Sequence, residues 1–160
     1  MQHKRCPECG KTLPAGIPAW VRGLRVSDVM TANPVTLGPE ETLMRASEVM
    51  RLHSIRRIPI VVGERLIGLL AEGDLKRAQP SILDSTEEDF HRVMEGTQVA
   101  RIMISSPITV EESTPLFEAA QTLRQTKFGA LPVTRDGKLS GILTDSDLLR
   151  SLADLLSQSG

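Results

Sequence analysis

Residues 26–77 recur as residues 99–150 without a gap, so this chain has to fold as two copies of one unit. Met30 aligns with Met103, Pro34 with Pro107, Leu43 with Leu116, Pro59 with Pro132, Gly68 with Gly141 and Asp74 with Asp147, each at an offset of 103 − 30 = 73. A long period repeated only twice is unlike the short, many-fold repeats of a solenoid. It points to two compact units packed about a pseudo-twofold axis, with two equivalent clefts between them where small ligands bind naturally. At roughly 50 residues, each copy is near the lower limit for folding alone. The two halves are therefore expected to share a core.

Each copy reads as strand, helix, hairpin, helix. In the second, Ile108-Thr109-Val110 is a short β-branched strand. Thr114-Pro115 then offers an N-cap with proline at the first helical position, and Leu116, Ala119, Ala120 and Leu123 recur at helical spacing, which predicts a helix over 115–126. Asp136-Gly137 between two apolar runs predicts a hairpin, and Thr144-Asp145-Ser146-Asp147 starts a helix bearing Leu148, Leu149, Leu152, Leu155 and Leu156. The first copy repeats the order, with a strand at Val35-Thr36-Leu37 and a last helix from about Glu72. Gln79-Pro80-Ser81 breaks the chain, and an acidic helix over 86–95 connects the copies. The expected fold is α/β (α+β): two pseudo-symmetric β-α-β-β-α repeats packed through their sheets. Its divisions are a tail at 1–22, repeat one at 23–79, a connector at 80–95 and repeat two at 96–156.

With 19 basic and 20 acidic side chains the formal charge is −1, which gives no global pull toward nucleic acid or an anionic bilayer. Aromatics are 2% of the chain, with no Tyr and one Trp, so the stacking platform of single-strand binders is missing. No apolar run reaches the length of a membrane span, and the start leads into no apolar signal core. A cytoplasmic protein is expected. Nor does any catalytic motif stand out: there is no Walker loop, no His-Glu-x-x-His and no nucleophile elbow, and His53 and His91 have no nucleophile in a recognisable motif. The chain is read as no enzyme.

The segment that closes each copy carries chemistry. In Gly141-Ile-Leu-Thr144-Asp145-Ser146-Asp147 a strand ends and a helix begins, so free backbone N–H groups and the positive end of the helix dipole face the cleft. Asp147 can accept hydrogen bonds from the vicinal hydroxyls of a ribose, and the Thr144 hydroxyl can donate to a phosphate oxygen. The competing reading is that both residues only cap the helix. Spacing alone supports the two equally. The first copy keeps Asp74 but has Ala71 where Thr144 stands, so its cleft should hold a ligand less well. It also carries Arg56-Arg57 before Ile58-Pro59, and a guanidinium there can pair with phosphate. The sequence does not show which cleft Arg57 faces, and Arg56 reads as a solvated charge.

A Met-containing lead (Asp28-Val29-Met30, Arg101-Ile102-Met103), a Pro-apolar-Thr strand, a helix, a basic or small residue before apolar-Pro, and Gly-apolar-apolar-x-x-x-Asp recur in both copies. Together they resemble a tandem CBS domain pair, or Bateman module. The Arg77-Ala-Gln-Pro-Ser81 linker is similar to that of small acetoin-utilisation-type CBS proteins. The resemblance implies a regulatory module that binds an adenosine ligand (AMP, ATP, S-adenosylmethionine or similar), forms a homodimer through its helices and signals to a partner protein. It favours ligand binding over capping for Thr144 and Asp147. It also extends the expected ligand set to Thr36, Arg57, Ile58, Pro59 and Asp74 in the first copy and Thr109, Ala130, Leu131 and Pro132 in the second. The alternative is a dimerisation or docking scaffold with no ligand.

The tail is a separate matter. His3-x-x-Cys6-Pro-Glu-Cys9-Gly10 resembles one knuckle of a zinc ribbon, where two thiolates share a metal. No second Cys-x-x-Cys occurs in the chain. A zinc site at Cys6 and Cys9 would need a second subunit, or His3 and water, to complete it. Reduced free thiols are the other reading, and a knuckle that touches nucleic acid is a distant third function. Trp20, after a Pro- and Gly-containing linker, is expected to pack onto the module.

Overall fold

A computed structural model describes residues 19–81, 83–126 and 128–157. Cys6 and Cys9 lie outside the described residues, as does the side chain of Trp20. Two short helices, α1 (Ala19–Arg22) and α2 (Val26–Val29), lead into strand β1 (Thr31–Ala32). The first repeat continues with α3 (Leu43–His53), β2 (Arg57–Val62), β3 (Arg65–Ala71) and α4 (Glu72–Ala78). The connector is α5 (Glu87–Gly96). A 3-10 turn (Val99–Arg101), β4 (Ile104–Ser105), β5 (Val110–Glu111), α6 (Leu116–Thr126), β6 (Ala130–Arg135), β7 (Lys138–Thr144) and α7 (Asp145–Ser157) follow.

Local chemistry accounts for these elements. The Thr42 hydroxyl accepts from the Arg45 N–H at 3.1 Å and starts α3. Leu43, Ala46, Val49 and Met50 form its buried stripe, and Ser54 ends it in the left-handed region at φ 53°. Thr86 and Asp89 cap α5 reciprocally. These hydrogen bonds from Thr86 hold the Asp89 carboxyl below its ordinary range. The second hairpin turns at Asp136 (φ 52°) and Gly137 (φ 77°), with Arg135 opposite Lys138, as the Asp-Gly signal predicts. Where the sequence suggests strands at 35–37 and 108–110, the structure has less. Leu37 makes a single parallel bridge to Ile60, and β5 pairs with β6 only from Val110 onward.

The reason lies in the topology. The sheets run β2-β3-β4 and β1-β7-β6-β5, so the lead of each copy pairs with the other copy. Thr31 lies opposite Ile142 on β7, and Ile104 opposite Leu69 on β3. Each lead then turns back at a positive-φ residue, Asn33 (48°) or Ser106 (49°), which are equivalent positions. The residues just beyond are used in crossing between sheets and pair with little. Close approach fixes the exchange: a Cβ at Gly141 would meet the Met30 thioether and the Thr31 carbonyl, and one at Gly68 would meet the Met103 thioether.

The exchange changes how the core is shared. One cluster of buried residues, including Leu43, Ile58, Ile60, Leu70, Met94 and Val99, is completed by Ile102 and Met103 from the second lead. The other, including Leu123, Leu131, Val133 and Leu143, is completed by Val26, Val29 and Met30 from the first lead. The contact between sheets is small, comprising Leu69, Ala130 and Ile142. The halves thus have two cores, each finished by its neighbour's lead, where the sequence suggests one common core. At the hairpin tips the Leu139 N–H donates to the Glu64 carbonyl at 3.0 Å, and Lys138 Nζ lies 2.8 Å from Glu64 Oε2. The Lys138 hydrogen bond holds the Glu64 carboxyl below its ordinary range, and Lys138 is raised in turn. What this pair adds to stability is present above the ordinary Glu range and is lost as pH falls through the lowered folded value. Both groups are exposed, so the contribution is small.

Candidate functional site

A cleft of about 440 Å³ is built from both copies. One wall is the crossing lead, Thr31 and Asn33 to Val35. A second is the segment 54–57 that enters β2. The third is the end of β7 and the first turns of α7, from Ile142 to Arg150. Its cations are Arg56, Arg57 and Arg150 and its anions Asp145 and Asp147, a formal balance of 3 − 2 = +1.

Asp147 is the centre of this site. It is 3% exposed, in the first turn of α7, and its carboxylate is held from several sides. Oδ2 accepts from the Thr144 N–H at 2.9 Å and from the Thr144 hydroxyl at 2.9 Å. The Asp147 N–H donates to Thr144 Oγ1 at 3.2 Å, which completes a reciprocal cap. Oδ1 accepts from the Thr31 hydroxyl at 3.2 Å and faces Arg150 Nη2 at 3.4 Å. The capping reading of Thr144 and Asp147 is therefore realised in the geometry, and the same pair also lines the cleft. Capping orients the carboxylate and does not exclude a ligand.

Arg57, half-buried at the start of β2, reaches this same cleft. Its Nε donates to the Phe128 carbonyl at 3.1 Å and Nη1 to the Arg56 carbonyl at 3.2 Å. Its guanidinium lies against Gly129, whose φ is +67°; a Cβ there would stand 2.9 Å from Nη2. Arg57 thus spans from the first copy to the second, and its cleft is the one that holds Thr144 and Asp147. Arg56, read as a solvated charge, is exposed and contributes to the same wall.

The equivalent positions in the other half are poorer in polar groups. Asp74 Oδ2 accepts from the Ala71 N–H at 3.1 Å, and Asp74 pairs with Arg77. Ala71, Ile104 and Ala130 stand where Thr144, Thr31 and Arg57 stand in the first cleft. The remaining expected ligand residues lie elsewhere. Ile58, Pro59 and Leu131 are fully buried in the strands, Pro132 is buried, and Ala130 packs between the sheets. Thr36 is half-buried and Thr109 exposed, and neither lines the cleft that holds Asp147. Sequence reasoning missed Thr31 and Arg150. The signal for Thr31 was a difference between the copies, a hydroxyl after Met30 where Ile104 follows Met103. For Arg150 it was an arginine one turn beyond each closing aspartate.

Among the described residues no group of three or more His, Cys, Asp or Glu side chains could hold a metal, and no helix is long and apolar enough to cross a membrane. Comparison with known proteins agrees with the duplication. A CBS domain-containing protein of Dictyostelium discoideum is 34% identical over 134 residues, which cover 82% of this chain and 92% of that protein. The crystal structure of a putative acetoin utilization protein from Vibrio cholerae superposes with a TM-score of 0.73 at 30% identity, covering 86% of this chain and 97% of that one. That of CBSX2 from Arabidopsis thaliana in complex with AMP has a TM-score of 0.71 at 33% identity, covering 83% and 99%. The family model for the CBS domain matches twice, at residues 26–81 and 99–154. With both copies matched and each lead exchanged onto its neighbour's sheet, the chain belongs to the CBS domain family as a tandem pair.

Proposed function

We propose that this chain is a regulatory module that takes an adenosine-containing ligand in the cleft between its repeats and signals its occupancy to a partner protein. One observation carries the reading: a nearly buried aspartate at a helix start, set by Thr144 and Thr31, shares a cleft with a guanidinium anchored across the two copies. The carboxylate suits ribose hydroxyls and Arg57 suits phosphate. The free N–H donors that the sequence suggests at the start of α7 are taken within the fold, Asp145 N–H by the Gly129 carbonyl, Ser146 N–H by Asp145 Oδ1 and Asp147 N–H by Thr144 Oγ1, so α7 offers a phosphate only its dipole. A relative at 33% identity has been crystallised with AMP, which supports the class of ligand. Calorimetric titration with AMP, ATP, S-adenosylmethionine and adenosine tests it. Saturable binding of at least one of them is expected, and binding of none would refute the reading. Arg57→Gln should weaken AMP by about tenfold, the loss of one charge-assisted hydrogen bond, and leave adenosine nearly unchanged.

The reading includes a homodimer. Leu149, Leu152 and Leu156 form one stripe of α7 and are all more than half exposed, as is Phe117 on α6. Such a stripe is costly to leave in water and suits a second copy. Light scattering should give about twice the 17.5 kDa chain mass. Leu152→Glu with Leu156→Glu should return a folded monomer; unchanged mass would remove α7 from the interface.

A further inference from the structure

Arg150 is one turn beyond Asp147 on α7, and a helical side chain leans toward the N-terminus of its helix. Its guanidinium therefore lies over the first turn, at the cleft, with Nη2 3.4 Å from Asp147 Oδ1 and the side chain 68% exposed. A carboxylate offers about four acceptor positions. Three at Asp147 are taken by Thr144 N–H, Thr144 Oγ1 and Thr31 Oγ1, all groups fixed by the fold. The remaining position is on Oδ1, which accepts only from Thr31 and is the oxygen that Arg150 pairs with at 3.4 Å.

From this we infer that Arg150, beside the phosphate contact of Arg57, sharpens the choice of phosphorylated adenosine ligands over unphosphorylated ones by opposing the unphosphorylated ones. The inference rests on the adenosine reading above. A ribose hydroxyl that donates to Asp147 has to take the position facing Arg150, so the guanidinium must leave. It then stands near the positive end of the α7 dipole without its counter-ion, an unfavourable place for a cation. A ligand phosphate gives it a new partner with bidentate geometry. Adenosine gives it none. Arg150 therefore opposes adenosine and supports AMP.

Arg57 acts differently, because its two bonds to carbonyl oxygens do not involve Asp147 and need not break when a ribose arrives. The other half shows the contrast in reverse. Asp74 also pairs with an arginine, Arg77, but Ala71 and Ile104 supply no hydroxyls, so its carboxylate keeps acceptor positions to spare.

The test is calorimetric titration of the full chain and its Arg150→Gln variant with AMP and with adenosine. Removing the competitor should tighten adenosine severalfold. Removing the phosphate partner should weaken AMP about tenfold. The preference for AMP thus narrows through changes of opposite sign, which a merely structural role would not produce. Arg150→Lys, which keeps the charge without the fork, should retain part of the preference. Thermal melts identical to the parent's are expected for so exposed a side chain. If both ligands move in the same direction, or neither moves, Arg150 does not sharpen the choice although the adenosine reading stands. If the parent binds neither ligand, the adenosine reading fails, and this inference with it.

Discussion

Replacing Asp147 with alanine should weaken binding of AMP roughly tenfold to a hundredfold, the loss of hydrogen bonds to a charged acceptor at about 1.5 to 3 kcal/mol. The same change removes the reciprocal cap of α7, so the variant should also lose about 1 kcal/mol of stability, with the Thr144 and Thr31 hydroxyls left without this partner. The two effects separate experimentally. Asp147→Asn keeps an acceptor oxygen for the cap but not the charge, and should recover most of the melting temperature while AMP remains weak. Asp74→Ala should leave AMP titration of this cleft nearly unaltered, because Asp74 is the equivalent residue in the other half. An Asp147→Ala protein that is folded and binds AMP as tightly as the parent would reduce the closing motif to a helix cap.

Gly141→Ala should destabilise the protein by about 1 to 3 kcal/mol, the usual range for overpacking a closely packed site. The new Cβ would stand 2.5 Å from Met30 Sδ and 3.0 Å from the Thr31 carbonyl oxygen. The thioether can swing away. The β1 backbone can move only by loosening its pairing with β7, which carries Thr31 away from Asp147. AMP affinity should therefore fall together with the melting temperature. Met30→Ala in the same chain should not restore the stability, since the backbone clash persists and the second core loses the Met30 side chain. Gly68→Ala disturbs the equivalent contact with Met103 and should lower the melting temperature while sparing the Asp147 cleft. A Gly141→Ala protein with unchanged melting temperature and AMP affinity would show that this contact does not hold the exchanged lead.

Much of the molecule is legible in its sequence. The 73-residue offset gives the two copies, and the apolar spacing of α3 and α6 and the Asp-Gly turn follow from local rules that need no tertiary partner. Thr144 and Asp147 are legible for the same reason: capping operates over three residues and orients the carboxylate before any ligand is considered. The paired absence at Ala71 is legible too, because the duplication supplies its own comparison.

What the sequence leaves open is everything that depends on which copy a segment packs against. A lead such as 26–32 is local to the first repeat along the chain, yet it pairs with β7 and fills the second core, because two residues of strand carry no information about their partner. That exchange brings Thr31 to Asp147 across 116 positions of sequence. Arg57 is similar: its residue type suggests phosphate, but only the approach of β2 to the Phe128–Gly129 turn assigns it to the cleft with Thr144. Sequence by itself determined the repeats, their helices and hairpins and the chemistry of each closing motif, since these arise from contacts a few residues apart. The tertiary structure alone decided that one cleft gathers Thr31, Arg57, Thr144 and Asp147 while their equivalents are Ile104, Ala130, Ala71 and Asp74, because crossed leads place residues of one copy in the site of the other.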